Sequence, residues 1–211
     1  MEKQVDKNHY EFSAYVDIAR WSSYWHQIDE VLKTQADSLL IVGTGDRIVK
    51  NVISKYITNI ADIDIDPELT PTYVGSITEL DVICSEKFDT VLCCQVLEHL
   101  PFSLFETSIA QLANVCTTYC VLSLPQKYLR YRFALYLRNR GRDYQFVYQR
   151  KNRSHFFNGE HYWEIGTKGC SIKEVEDVIS KYFTIERSYS VKENPYHYFF
   201  ILKKIEEIDV E

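Results

Sequence analysis

No stretch of the chain stays apolar for the roughly eighteen residues a membrane-spanning helix needs, and no charged segment leads into an apolar one at the start. A cytoplasmic protein is therefore expected. No CxxC pair occurs among the six cysteines, Cys84, Cys93, Cys94, Cys116, Cys120 and Cys170, and four of them sit inside apolar runs. That excludes a disulfide frame or a cysteine zinc site and reads as buried small hydrophobes. Internal repeats, low-complexity tracts and linkers are also missing, so a single domain is expected. What is present suits one: 211 residues, 45% hydrophobic and 26% charged, are enough to bury the core of one α/β domain.

The organising stretch runs from Ser38 to Lys50, SLLIVGTGDRIVK. Leu39 to Val42 form a short β-rich run of the kind buried on both faces of a parallel sheet. Gly43, Thr44 and Gly45 then permit a tight turn that a ligand can approach closely. A helix opening at about Asp46 would aim its free N–H groups and positive dipole end at that ligand. About twenty positions later a second apolar run, Ile57 to Ile65, ends in acids, where a nucleoside-binding sheet needs a carboxylate for the ribose hydroxyls. Asp64 is assigned that role, with Ile65 beside it. Asp62 and Asp66 share its face of an extended strand, so the register leaves either open. A third run, Phe88 to Cys94, leads into Gln95-Val-Leu-Glu-His-Leu-Pro101, and Gln95 falls at the carboxyl end of that strand, where open parallel sheets bind ligands.

Through IVGTGD, DIDPEL and FDTVLCCQVLEHLP the sequence resembles the class I S-adenosylmethionine-dependent methyltransferases, from about Ser38 to the final apolar run. The resemblance implies a Rossmann-like three-layer α/β sandwich with a seven-stranded, mostly parallel sheet and a C-terminal antiparallel hairpin. It implies S-adenosyl-L-methionine as cofactor on Gly43, Thr44, Gly45, Asp64, Ile65, Ser76, Ile77 and Gln95, with the adenine at Ser76 and Ile77. Two positions depart from the family pattern: Ile41 stands where an acid helps hold the cofactor's amino group, and Arg47 replaces a third glycine. Some members carry ExxEH after the fourth strand and bind a divalent metal. Here the motif is QxxEH, which removes one charge from a hard-cation site, and no metal is assigned. His99 is instead assigned as a general base.

The remaining segments are divided as follows. Residues 1–36 form an aromatic helical cap in which Ile18, Trp21, Trp25 and Ile28 recur at helical spacing and are expected in the core, with Tyr10 or Tyr15 reaching the cofactor. Residues 37–124 form the cofactor-binding half. Residues 125–165 are read as a basic, aromatic substrate lid, and residues 166–211 as a final helix and hairpin. From Lys127 to Arg153 nine Lys or Arg face one acid, Asp143, a local charge of +8 in a chain of net −6, so the remainder carries −14. Such a patch attracts phosphate or anionic headgroups, which makes peripheral membrane contact through 127–153 an expectation. Arg130 and Arg138 are assigned to an anionic acceptor. In HFFNGEHYWEIG, His155 and Trp163 are assigned to the acceptor and His161 is the second candidate base. Ser171 with Glu174 has capping-box spacing and opens a helix.

The resulting expectation is methyl transfer to a small-molecule or lipid-linked, anionic acceptor. Three alternatives remain. A methyltransferase fold that only binds is favoured by Ile41 and Arg47. Nucleic-acid methylation is opposed by the overall acidity. A dinucleotide oxidoreductase would want the full GxGxxG.

Overall fold

The computed structural model describes residues 7–137, 140–149, 153–157 and 159–206. Two features of β1 (Ser38–Val42) set the architecture: it is apolar on both faces, and it pairs in parallel with β2 (Asn59–Asp64) on one side and β4 (Phe88–Cys94) on the other. A strand buried on both faces must sit at the centre of a sheet covered by helices on each side. β3 (Tyr73–Val74) extends the sheet beyond β2. β5 (Cys116–Pro125) pairs in parallel with β4, and β9 (His197–Lys204) runs antiparallel between β5 and β8 (Phe183–Ser190). The order β3-β2-β1-β4-β5-β9-β8 is the expected seven-stranded sheet with a C-terminal antiparallel pair. Its direction of winding reverses between β1 and β4, which opens a crevice at their carboxyl ends.

Alternate residues feed two cores. Leu40, Val42, Val91, Cys93 and Leu122 point to one face, where α5 (Phe105–Val115) and α6 (Ile172–Ile179) cover them. Leu39, Ile41, Leu92, Val121 and Phe199 point to the other, against α2 (Ile18–Lys33) and α3 (Ile48–Ile53). The ends of the helices follow their sequence signals. The Asp17 side chain accepts the N–H of Arg20 at 2.7 Å to start α2, and Ser171 with Glu174 closes a reciprocal capping box on α6. Short helical turns, α1 (Phe12–Tyr15) and α4 (Leu80–Ile83), complete the set. Five of the cysteines are buried and Cys94 is half-buried, all with free thiols; burial pushes Cys94 and Cys116 up to about 12 and Cys170 up to about 11. None of the described helices is long and apolar enough to cross a membrane.

Two arrangements differ from expectation. Most of the apolar stripe of α2 does not face inward: Ile18, Trp21 and Trp25 are more than half exposed, Ile28 packs against the second core, and the buried face carries Ser23, Tyr24, Gln27, Glu30 and Val31. Hydrogen bonds explain the rotation. Glu30 accepts from Arg187 and from the Tyr189 hydroxyl, and Ser23 accepts from Asn194, so the polar stripe is what β8 and its following loop hold. The segment after β5 is a separate two-stranded sheet, β6 (Tyr128–Leu137) and β7 (Arg140–Gln149), standing away from the body with most of its side chains exposed.

Candidate functional site

A cleft lies over the carboxyl ends of β1, β2 and β4. It is lined by the turn from Gly43 to Arg47, by Asp64 to Asp66, by Ser76 and Ile77, by Gln95, Val96 and His99, and from the N-terminal side by Tyr10, Tyr15 and Arg20. The glycines do what a turn there requires. Gly43 has φ +87° and Gly45 φ +50°, and a Cβ on Gly43 would meet Val96 Cγ2 at 2.8 Å. α3 opens at Ile48, two residues later than expected, because Asp46 accepts the Ile48 N–H at 3.0 Å and the Tyr24 hydroxyl at 2.5 Å.

Hydrogen bonding decides which acid serves the cleft. Asp62 is fully buried and accepts from Lys50 Nζ at 2.7 Å, Thr72 N–H at 2.9 Å and the Thr44 hydroxyl at 3.1 Å. Burial alone would raise its pKa, but the bonds from Lys50 and Thr72 outweigh it and hold the carboxyl low. Asp62 is therefore a structural anion. Asp64 sits at the end of β2, accepting Thr44 N–H at 2.8 Å and Asp66 N–H at 2.9 Å, so its carboxylate is pinned beside the glycine turn. Burial in the cleft raises its pKa. Asp66 lines the cleft too, while its side chain caps the turn at Glu68. Ile77 is buried in the cleft wall. The Ser76 hydroxyl is engaged with Thr78, accepting its N–H at 3.2 Å. Gln95 adopts φ +57°, and its amide nitrogen donates to Ser123 Oγ at 3.2 Å.

The two departures from the motif are now placed. Ile41 packs in the second core and reaches the cleft wall as an apolar surface. Arg47 keeps the left-handed conformation a glycine would take, φ +63°, and its guanidinium donates to the carbonyls of Leu69 and Thr70 and to the Thr70 hydroxyl. It ties the turn after β1 to the turn after β2. Tyr10 and Tyr15 stack edge to face at 5.0 Å, and Arg20 lies 3.9 Å over the Tyr15 ring, so the N-terminal segment forms one wall.

Around His99, which lines the cleft at the end of β4, titratable groups gather from distant parts of the chain; the others lie behind it and not in the cleft lining. The His99 and His161 rings meet edge to face at 5.0 Å. His99 Nδ1 lies 3.0 Å from the Glu160 carbonyl, and His161 Nδ1 lies 3.1 Å from the Tyr196 hydroxyl, which donates to Glu164 at 3.0 Å. Lys127 Nζ pairs with Glu164 at 2.8 Å; His161 first, then Lys127 and the Tyr196 hydroxyl, more than offset burial and hold Glu164 down at about 2. Burial lowers His99. It would lower His161 also, but the carboxylates of Glu164 and Glu98 outweigh it and raise that imidazole. Glu98 is fully buried with neither carboxylate oxygen hydrogen-bonded among the described residues, and burial pushes it up to about 7. One ligand atom each from Glu98, His99 and His161 lie within 4.8 Å of one another, a juxtaposition able to hold a cation.

The acceptor assignments fare differently. His155 Nε2 lies 2.9 Å from the His161 carbonyl and so braces that loop. Trp163 is in the core instead, only 2% exposed, packed on Phe102 and Phe105 with its indole N–H given to the Leu100 carbonyl. Arg130 is exposed on the hairpin, away from the cleft lining, and Arg138 lies outside the described residues. Tyr196 and Arg20 escaped the sequence reading, since nothing in their local pattern marks them, and Lys127 figures in it only as the first residue of the basic patch.

No protein-family profile matches the sequence, and no curated protein does. Solved structures do match. The N-methyltransferase NodS of Bradyrhizobium japonicum, in complex with S-adenosyl-L-homocysteine, aligns with TM-score 0.63 over 90% of this chain and 89% of its own at 10% identity. The chain has the class I methyltransferase fold. An S-adenosylmethionine-dependent methyltransferase of Clostridium acetobutylicum (TM-score 0.56, 93% and 96% covered, 11% identity) shares it. So does magnesium protoporphyrin IX methyltransferase of Synechocystis with bound SAM (TM-score 0.56, 90% and 85% covered, 14% identity). The matches to this fold cover 90% or more of the chain.

Proposed function

We propose that the protein transfers the methyl group of S-adenosyl-L-methionine to a small-molecule or lipid-linked acceptor of anionic character. The observation that carries this is Asp64, a cleft carboxylate held by the Thr44 N–H beside the Gly43–Gly45 turn, where a ribose would meet both. On this reading the adenine lies against Ile77 at Ser76, with Ile65 and Gln95 completing the wall, and Arg20 faces the cofactor's carboxylate. The solved structures of this fold that hold S-adenosylmethionine or its product support the assignment.

The sulfonium supplies an already activated methyl, so the chain's task is alignment and exclusion of water. For an acceptor that must lose a proton, His99 is the base. Burial keeps it neutral, and it is held through Nδ1 on the Glu160 carbonyl side. His161, raised by its carboxylate neighbours, supplies positive charge beside an anionic acceptor. A second reading rests on the convergence of Glu98, His99 and His161: the three would hold a divalent cation, whose chemistry when bound is to polarise an acceptor oxygen. The Glu98 carboxylate, without a hydrogen bond among the described residues, fits that role, and activity lost to a chelator and restored by magnesium or manganese would select it.

Calorimetry with S-adenosylmethionine, with NAD as control, tests the proposal. Micromolar binding that Gly45→Arg abolishes and Asp64→Ala weakens about a hundredfold is expected. No binding by the wild type would leave a methyltransferase fold that binds something else.

A further inference from the structure

The β6–β7 hairpin has two unlike faces. Residues directly opposite in an antiparallel pair share a face, and faces alternate along each strand. The register pairs Tyr131 with Phe146, Phe133 with Tyr144, Leu135 with Arg142 and Leu137 with Arg140, so all these side chains are on one face. Every one of them is exposed, from 45% at Tyr144 to 80% at Leu137 among the apolar ones. The opposite face is engaged by the protein itself in part, with Arg130, Ala134 and Tyr136 exposed on it as well. Asp143 pairs with Arg132 at 2.9 Å, Gln145 donates to the Lys192 carbonyl at 2.7 Å, and Gln149 donates to the buried Gln126 at 2.8 Å.

An apolar patch of this extent left in water marks a partner surface. Its chemistry narrows the partner. The face carries no acid and ends in Arg140 and Arg142 beside Leu135 and Leu137, so apolar groups and fixed positive charge are displayed together at the far end of the hairpin. A second copy of the chain, packing the same face on itself, would bring arginines against a surface with no carboxylate to meet them. A bilayer with anionic headgroups satisfies both halves: tyrosines and arginines are suited to the headgroup level, and phenylalanine and leucine to the acyl boundary. The backbone sets the depth. Both outer edges of a two-stranded sheet present unpaired N–H and C=O groups, which the dry hydrocarbon cannot satisfy, so the hairpin must lie along the interface.

We infer that this face of the hairpin docks the protein on anionic lipid bilayers. The inference goes beyond the transferase reading and stands without it, because vesicle binding needs neither cofactor nor turnover. If both hold, the hairpin would bring the cleft to a lipid-linked acceptor.

Flotation with vesicles of equimolar phosphatidylglycerol and phosphatidylcholine, against phosphatidylcholine alone, is the test. The wild type is expected to float with the anionic vesicles and to be released as salt rises. The triple variant Phe133→Ser/Leu135→Ser/Phe146→Ser is expected to bind at least about tenfold more weakly, and Arg140→Gln/Arg142→Gln to lose the preference for anionic lipid. An unchanged thermal midpoint shows that the variants are folded; the salt response of the wild type carries the test without them. A wild type that stays in solution overturns the inference, as does a folded triple variant that floats equally well. Displacement by millimolar inorganic phosphate would reassign the arginines to a free anion. A concentration-dependent dimer that the triple variant abolishes, without vesicle binding, would give the face to a second copy.

Discussion

At the carboxyl ends of β1 and β2 the carboxylates are satisfied: Asp62 by Lys50, Thr44 and Thr72, and Asp64 by two backbone N–H groups. Across the cleft, at the end of β4, Glu98 is buried with neither oxygen hydrogen-bonded among the described residues, next to two histidines that burial and neighbouring charge push in opposite directions. The first region is a cradle whose carboxylates have their hydrogen-bond donors without any ligand. The second stores electrostatic cost that a ligand, a proton or a cation can relieve, which is the usual condition of groups that do chemistry. Substitutions that separate binding from stability in the first region, and stability from turnover in the second, sharpen the contrast.

The largest effect is expected at Asp62. Asp62→Ala leaves Lys50 without its partner and the Thr44 and Thr72 donors unmet in a buried place, so unfolding by urea should show a loss of about 3 kcal/mol. Asp64→Ala should leave that midpoint nearly unchanged but weaken S-adenosylmethionine about a hundredfold by calorimetry, the worth of two hydrogen bonds to a charged acceptor. If the two variants behave alike, the division of labour between neighbouring acids is wrong.

Next comes the proton chemistry. His99, lowered from 6.5, must be unprotonated to act as a base, so kcat/KM should rise through a limb below that value. His161, raised from 6.5, must keep its proton to attract an anion, so the rate should fall through a limb above it. Both limbs belong to the cluster, which includes Glu98 at about 7 as well as Glu160 and Glu164. His99→Ala should cost about a hundredfold at the optimum, and His161→Gln should remove the alkaline limb. A profile flat from about pH 5 to about pH 9 in the wild type would refute the assignment.

A smaller effect is expected at Glu98. Its folded pKa, about 7, lies above the ordinary 4.5, so its contribution to stability is present below 4.5 and is lost as pH rises through about 7. Glu98→Gln cannot ionise. It should match the wild type near pH 5 and exceed it at pH 8 by on the order of 1 kcal/mol, while turnover falls. A stability difference that does not change with pH would mean that Glu98 is not paying for its charge.

Much of this layout was legible because it rests on local pattern. The run LLIV followed by two glycines predicts a central strand and a tight turn, since only a strand buried on both faces wants that composition, and β1 is that strand. The period of two in IADIDID places three acids on one face and cannot choose among them. The choice lies in Lys50 and Thr72, which come from other elements. Trp21 and Trp25 misled for a similar reason: helical spacing identifies a stripe, but whether it faces in depends on partners such as Asn194, Arg187 and Tyr189 more than 150 positions away. The meeting of His99 with His161 is likewise invisible in the order of residues, and so is the hairpin, whose arginines and aromatics look like a mixed patch until the register sorts them by face.

The smallest effect separates the departures from the motif from loss of function. Arg47 holds a left-handed conformation that costs a side-chain-bearing residue about 1 to 2 kcal/mol, and its three hydrogen bonds to Leu69 and Thr70 return a similar amount. Glycine would relieve the first and forfeit the second, while gaining freedom in the unfolded chain. Arg47→Gly should therefore shift stability by no more than about 1 kcal/mol and change S-adenosylmethionine affinity less than about threefold, with faster amide exchange near Thr70 as its main trace. Restoring the third glycine in this way asks whether Arg47 obstructs the cofactor or replaces a backbone device with a side-chain one. A tenfold gain in affinity would mean obstruction; near-equality means that the arginine is the tie between the two turns that the cradle uses.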